Sequence, residues 1–212
     1  TLLAHCVWLD DAEIQLLADH GVGVAHNPVS NMKLASGAAP IGAMLAKGIA
    51  VGLGTDGEKE NNNLDMFEEL KTASLLAKHS NADAAALDAW SICRMATIDG
   101  ARALGMQETI GSLEVGKRAD MIALNTHTPR MTPLITSGQY MNLQHNLVHA
   151  AQGGDVAMTM VDGQVLVRHG ELLCDDLSET IRAANRAIGP LLARRDAWIA
   201  SAGTAVNELE KS

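Results

Sequence analysis

Apolar residues in this chain fall first into short unbroken runs and then into stretches with helical spacing, and the two alternate. Residues 1–7 (TLLAHCV), 22–26 and 49–53 are runs of small, aliphatic and β-branched residues without strict polar alternation. That pattern predicts strands buried on both faces. Between the first two, Asp10, Asp11 and Glu13 crowd a helix start, Ile14, Leu17 and Ala18 supply its apolar face, and Gly21 stops it. The second and third runs are separated by a polar stretch, NPVSNMKLASG, read as loop, and by a helix that Pro40 opens and Gly48 closes. Crossovers of this length join parallel neighbours through right-handed connections. The first sixty residues therefore read β-α-β-loop-α-β. A second polar loop follows residue 56, and Leu64, Phe67, Leu70 and Leu75 then mark a long helix. Residues 87–95 and 100–104 predict two more, joined at 97–99.

Near residue 110 the pattern changes. IGSLEVGKRADMIALN has a glycine-containing turn before an apolar strand, and DVAMTMVDGQVLVRHG predicts a hairpin around Asp162-Gly163, a dipeptide favoured in two-residue type I′ turns. Residues 126–154, rich in Thr, Gln, Asn and His, read as loop with one short helix. From Leu177 to about Ser201 the spacing is helical again, with a kink or break expected at Gly189-Pro190 and a polar, frayed tail beyond.

Composition narrows the partners. A net charge of −9 argues against nucleic acid or an anionic membrane surface. Aromatic residues are only 2% of the chain, so the core must be aliphatic, with ten methionines as adaptable filler. Cys6, Cys93 and Cys174 are few, odd in number and widely spaced, which favours free thiols in a reducing, cytoplasmic setting over a disulfide framework. No apolar run approaches the roughly 20 residues that span a bilayer. The chain begins Thr-Leu-Leu inside a strand-like run, so a further N-terminal segment is expected.

Three strand ends carry polar groups in succession: His5, His26-Asn27 and Asp56. On parallel neighbours these converge at one rim, where α/β barrels keep their chemistry. Imidazole and carboxylate are what a zinc or similar ion takes at a hydrolytic centre. Each residue alone has a plainer reading. Asp56 could cap the following turn, and a single strand-end histidine is more often structural. Two such groups also fall short of the three protein ligands a catalytic zinc usually takes.

Four segments together resemble the second half of the amidohydrolase superfamily: LLAHCVWLDDAEIQLLADHGVGVAHNPVSNMKLASG, GLGTDG followed by NNNLDMFEEL, MATIDGARALG, and IGSLEVGKRADMIAL. The branch they resemble holds the deaminases of S-adenosylhomocysteine and methylthioadenosine, of guanine and of pterins, together with the s-triazine hydrolases. The resemblance implies strands six to eight of a (β/α)₈ TIM-type barrel at 1–110. It implies part of a composite β-sandwich with a connecting loop at 111–175, and C-terminal helices and tail at 176–212. It further implies that His5 and Asp56 are catalytic, that Asp56 also binds one divalent metal ion, zinc first and iron second, and that Asn27, Ser30 and Asn31 line the substrate pocket. The family's HxH pair, its strand-five histidine and its acid/base glutamate have no counterpart. His20, His79, His127, His145, His149 and His169 do not sit in such motifs.

Relatives acting on adenosine derivatives usually carry Ser four residues after the metal Asp, where this chain has Glu60. A carboxylate there favours a ring edge with N–H donors, while the plainer alternative is a solvated loop glutamate. The expected function is hydrolytic deamination of an amino-substituted N-heterocycle, by a homo-oligomer completed by the remaining half-barrel. A triazine-type dechlorinase and a non-catalytic scaffold are the alternatives.

Overall fold

The structure, a computed structural model, describes the backbone of residues 1–209 and the side chains of residues 1–201. Its first half is a parallel α/β unit. Strand β1 (Leu2–Ala4) leads to α1 (Asp11–Asp19), then β2 (Gly23–His26), α2 (Pro28–Lys33), α3 (Ile41–Ala46) and β3 (Val51–Leu53). The strands stand in the order β1-β2-β3, all parallel, with Leu3 opposite Val24 and Val24 opposite Val51. At the start of α1 the Asp10 carboxylate accepts from the Glu13 N–H while the Glu13 carboxylate accepts from the Asp10 N–H. This reciprocal box satisfies two donors the helix leaves open. Ile14 of α1, Val24 of β2, Ile41 and Met44 of α3 and Val51 of β3 close into one core.

Helices α4 (Glu58–Asn61), α5 (Met66–Asn81), α6 (Ala89–Met95) and α7 (Ile98–Ala103) follow. The last lies directly on the sheet. A Cβ at Gly23 would sit 2.3 Å from the Ala103 carbonyl oxygen, and one at Gly52 would sit 2.8 Å from the Gly100 Cα. Both positions therefore need glycine for backbone to approach backbone.

Strand β4 (Met121–Leu124) begins a second sheet, and α8 (Leu143–His149) packs on α5 and α6 through Phe67, Leu70, Ile92 and Val148. Strands β5 (Val156–Val161), β6 (Gln164–Arg168) and β7 (Glu171–Leu172) complete an antiparallel sheet in the order β4-β5-β6-β7. Val161 faces Gln164 across the hairpin. Asp162 and Gly163 have φ of 51° and 79°, the positive pair a type I′ turn requires. Helix α9 (Leu177–Leu209) ends the described chain.

The structure departs from the pattern in five places. The run at 1–7 forms a strand only over Leu2–Ala4, because His5 and Cys6 take left-handed φ of 66° and 49° and turn the chain out of the sheet. The stretch after His26, read as loop, contains α2: Pro28 enters at its first turn and the Asn27 carbonyl accepts from the Asn31 N–H. The loop after Asp56 likewise contains α4. Helix α9 runs unbroken through Gly189-Pro190 and past Ser201; only 210–212 of the expected frayed tail lie outside the described residues. Burial from both sides holds for most of β2 and β3 but not for β1, where Leu2 and Leu3 are exposed. No helix among the described residues is long and apolar enough to cross a membrane.

Candidate active site

Because β1 and β3 are parallel, their C-terminal ends open on the same rim, and at each the chain turns through a left-handed residue, His5 (φ 66°) and Asp56 (φ 62°). His5 Nε2 lies 3.7 Å from Asp56 Oδ2. Between them α2 supplies both supports from consecutive residues. Ser30 Oγ donates to Asp56 Oδ2 at 2.6 Å, and Asn31 Oδ1 stands 2.9 Å from His5 Nδ1. The Gly57 N–H donates to the other Asp56 oxygen at 2.8 Å. The Ser30 hydrogen bond foremost, then the Gly57 N–H, with a smaller contribution from the His5 charge, hold the Asp56 carboxyl below the usual carboxylate range. Asp56 is thus an anion at neutral pH. With the Asn31 amide oriented to accept, His5 Nδ1 donates to it, and Nε2 is the nitrogen turned toward Asp56.

Beneath this pair the site is closed over. His26, Asn27, Ser30 and Asn31 are all buried. Burial, with the neighbouring His5 charge adding, pushes the His26 imidazole down to about 4, so it is neutral at pH 7. His26 Nδ1, Asn27 Oδ1 and Asn31 Nδ2 have no hydrogen-bond partner among the described residues. Asn27 sits under Gly54, where a Cβ would meet its Nδ2 at 2.8 Å. Two cross-links hold the rim loops to one another. Glu69 of α5 accepts from the Val29 N–H and from Asn61 Nδ2, and Lys33 Nζ donates to the Lys59 carbonyl and to Asn62 Oδ1.

Above the pair is an open recess of about 710 Å³ walled by His5, Trp8, Leu34, Asp56, Lys59 and Glu60. Glu60 lines the recess beside Lys59, its carboxylate 3.1 Å from the Lys59 Nζ. Of the six residues singled out in the sequence, His5, Asp56 and Glu60 form its wall. Ser30 and Asn31 act on Asp56 and His5 from behind, and Asn27 lies in the floor. Sequence reasoning passed over Glu69 and Trp8. Glu69 falls beside Leu70 on the buried face of α5, which was the available signal. Trp8 is three residues past a strand-end histidine, a spacing with no message of its own.

The donor set fits part of a metal centre. One imidazole nitrogen and one ionised carboxylate face each other within 4 Å, and buried polar atoms without a partner among the described residues lie on the adjoining His26, Asn27 and Asn31. Among the described residues no group of three or more His, Cys, Asp or Glu side chains could hold an ion. A catalytic zinc takes three protein ligands, more than the His5 and Asp56 pair provides.

Comparison with known proteins sets this chain beside longer ones. The amidohydrolase family model matches residues 1–166. A 5'-deoxyadenosine deaminase from Methanosarcina acetivorans is 48% identical over 196 residues, covering 92% of this chain and 44% of that protein. A zinc-bound adenosine deaminase from Xanthomonas campestris superposes with a TM-score of 0.84 at 38% identity, over 91% of this chain and 42% of that one. An atrazine chlorohydrolase from Arthrobacter aurescens, complexed with zinc, gives 0.74 at 30% identity, over 87% and 40%. The chain spans less than half the length of these relatives. Its α/β architecture is accordingly of the TIM-barrel type. On the match over residues 1–166, and on a strand-end histidine and aspartate facing each other at one rim, the chain belongs to the amidohydrolase family.

Proposed function

We propose that this chain is the part of a metal-dependent aminohydrolase that contributes barrel strands six to eight as β1, β2 and β3. Residues 111–175 would form part of its composite β-sandwich, and residues 176–212 its C-terminal helices. The reaction is hydrolytic deamination: water adds to the ring carbon that bears the exocyclic amine of an N-heterocycle, the C–N bond breaks, and ammonia leaves. The observation that carries this reading is the 3.7 Å approach of His5 Nε2 to an Asp56 carboxylate kept ionised by Ser30 and Gly57.

Asp56 and further donors from the rest of the barrel would hold the divalent ion, zinc in the first instance. When bound, such an ion supplies a water of lowered pKa at neutral pH. Asp56, as an anion beside that water, takes its proton and returns it to the departing amine. His5, its Nδ1–H fixed by Asn31, keeps Nε2 directed at the reacting carbon's substituents and stabilises charge that develops there. Ser30 and Asn31 are positioning residues for this pair. Asn27 completes the floor, and Glu60 meets the N–H edge of the ring. The relatives' printed activities make adenosine derivatives the first substrates to test.

The test uses the whole protein. Metal content is measured together with ammonia release from 5'-deoxyadenosine and guanine and chloride release from atrazine. Stoichiometric zinc or iron and turnover of one amine are expected. Asp56→Asn keeps the shape but loses the charge, and should lower kcat by about a thousandfold or more while circular dichroism and Tm stay near wild type. Near-normal turnover in that variant would refute the role of Asp56. Absence of both metal and turnover would leave a non-catalytic scaffold.

A further inference from the structure

Trp8 lies in the loop between β1 and α1, three residues past His5. Its side chain is 85% exposed, although it walls the same recess as His5, Asp56 and Glu60. Aromatic residues are scarce in this chain, and the other two tryptophans, Trp90 and Trp198, belong to α6 and α9 outside that recess. A tryptophan left in water exposes one of the largest apolar surfaces any side chain carries. Trp8 is not loose, however. Gly37, at φ +114°, lies against Val7 and one edge of the indole: a Cβ there would sit 2.9 Å from Val7 Cγ1 and 3.6 Å from Trp8 Cζ2. The ring is therefore seated along an edge while most of its surface stays open.

We propose that Trp8 is a specificity-determining residue whose indole face stacks on the planar ring of the substrate, with Glu60 at the ring's N–H edge and His5 and Asp56 at the reacting carbon. This inference rests on the deaminase reading above. It adds that the site selects for flat heteroaromatic amines over saturated ones. A π-face contact is indifferent to which heterocycle supplies the ring. Stacking makes and breaks no bond, and most of it is already present in the bound substrate. It therefore affects binding and leaves the chemical step nearly alone.

The experiment compares wild type, Trp8→Ala and Trp8→Phe in the whole protein. KM and kcat are measured on whichever of 5'-deoxyadenosine, guanine or atrazine the wild type turns over. Direct Kd values are measured for the three products, 5'-deoxyinosine, xanthine and hydroxyatrazine. Trp8→Ala should raise KM and the matching product's Kd by about tenfold with kcat within about threefold, and Trp8→Phe should recover most of the loss. An active Trp8→Ala enzyme with both constants within twofold of wild type would overturn stacking and leave the deaminase reading standing. So would a fall in kcat of tenfold at unchanged KM. Trp8-dependent binding of a product without turnover of any substrate would instead overturn the deaminase reading and keep the stacking. A wild type that neither binds nor reacts removes both.

Discussion

One carboxylate with no exposed surface sits a layer beneath the rim. Glu69 accepts from the Val29 N–H and from Asn61, and so ties the segment that carries Ser30 and Asn31 to the loop that carries Asp56 and Glu60. Burial pushes its pKa up from 4.5 to about 7, against the pull of those two hydrogen bonds. Between those values the folded protein keeps a proton that the unfolded chain has released, so stability falls as pH rises across that window and levels off above about 7. Glu69→Gln removes the titration. Urea midpoints of the whole protein from pH 4.5 to 8 should fall in wild type relative to the variant, which shares every other titration including that of His26, with a difference of about 3 kcal/mol at most. Parallel trends in the two proteins would contradict this. The constant offset between them is a separate matter, since an amide nitrogen cannot accept from Val29 or Asn61.

Among the elements, the contact of α7 with β2 and β3 is the tightest. Gly52 meets Gly100 backbone to backbone, and no flexible side chain lies between them to give way. Gly52→Ala should cost roughly 1–3 kcal/mol, read as a lower Tm of the whole protein. It should also lower turnover, because β3 carries Asp56 just beyond its end. An unchanged Tm would mean that α7 can slide. The sequence made some of these elements readable and hid others, for physical reasons. Asp10 and Glu13 announced α1 because capping is local chemistry, and Asp162-Gly163 announced the hairpin because only a few residues tolerate two positive φ angles in succession. Helix α2 was hidden because Asn, Pro and Ser favour turns on their own; here their polar atoms are spent on His5 and Asp56 or left in the buried floor. The break expected at Gly189-Pro190 does not occur in α9, because Pro190 removes only its own N–H from the helix ladder and the rest of that ladder survives. The rim was legible as a consequence of parallel order. Glu69 was not, since its burial depends on α2 and α4, which the pattern did not disclose.

At the scale of the molecule, three parallel strands leave the outer edges of β1 and β3 without partners among the described residues. Leu2 and Leu3 are exposed on β1, and Leu177, Ile181, Ile188, Leu191 and Trp198 form an exposed stripe in steps of four, seven, three and seven residues along α9. Open edges and apolar stripes of this kind recruit neighbours. Residues 1–212 expressed alone should therefore sediment as species heavier than the 22.3 kDa monomer, and should unfold over a broad range. A monomer with one sharp transition would rule out the partial-barrel reading. The left-handed backbone at His5, Cys6 and Asp56 has a different consequence. Each such residue other than glycine costs up to roughly 1–2 kcal/mol, less for Asp and His than for most. The rim is thus a place where heritable change is biased in one direction. In a lineage freed from the need for turnover, replacement by Gly at position 5 or 56 relieves strain while it erases the chemistry. Descendants that keep His and Asp there, at a standing cost to their heat tolerance, would be those still under selection to react.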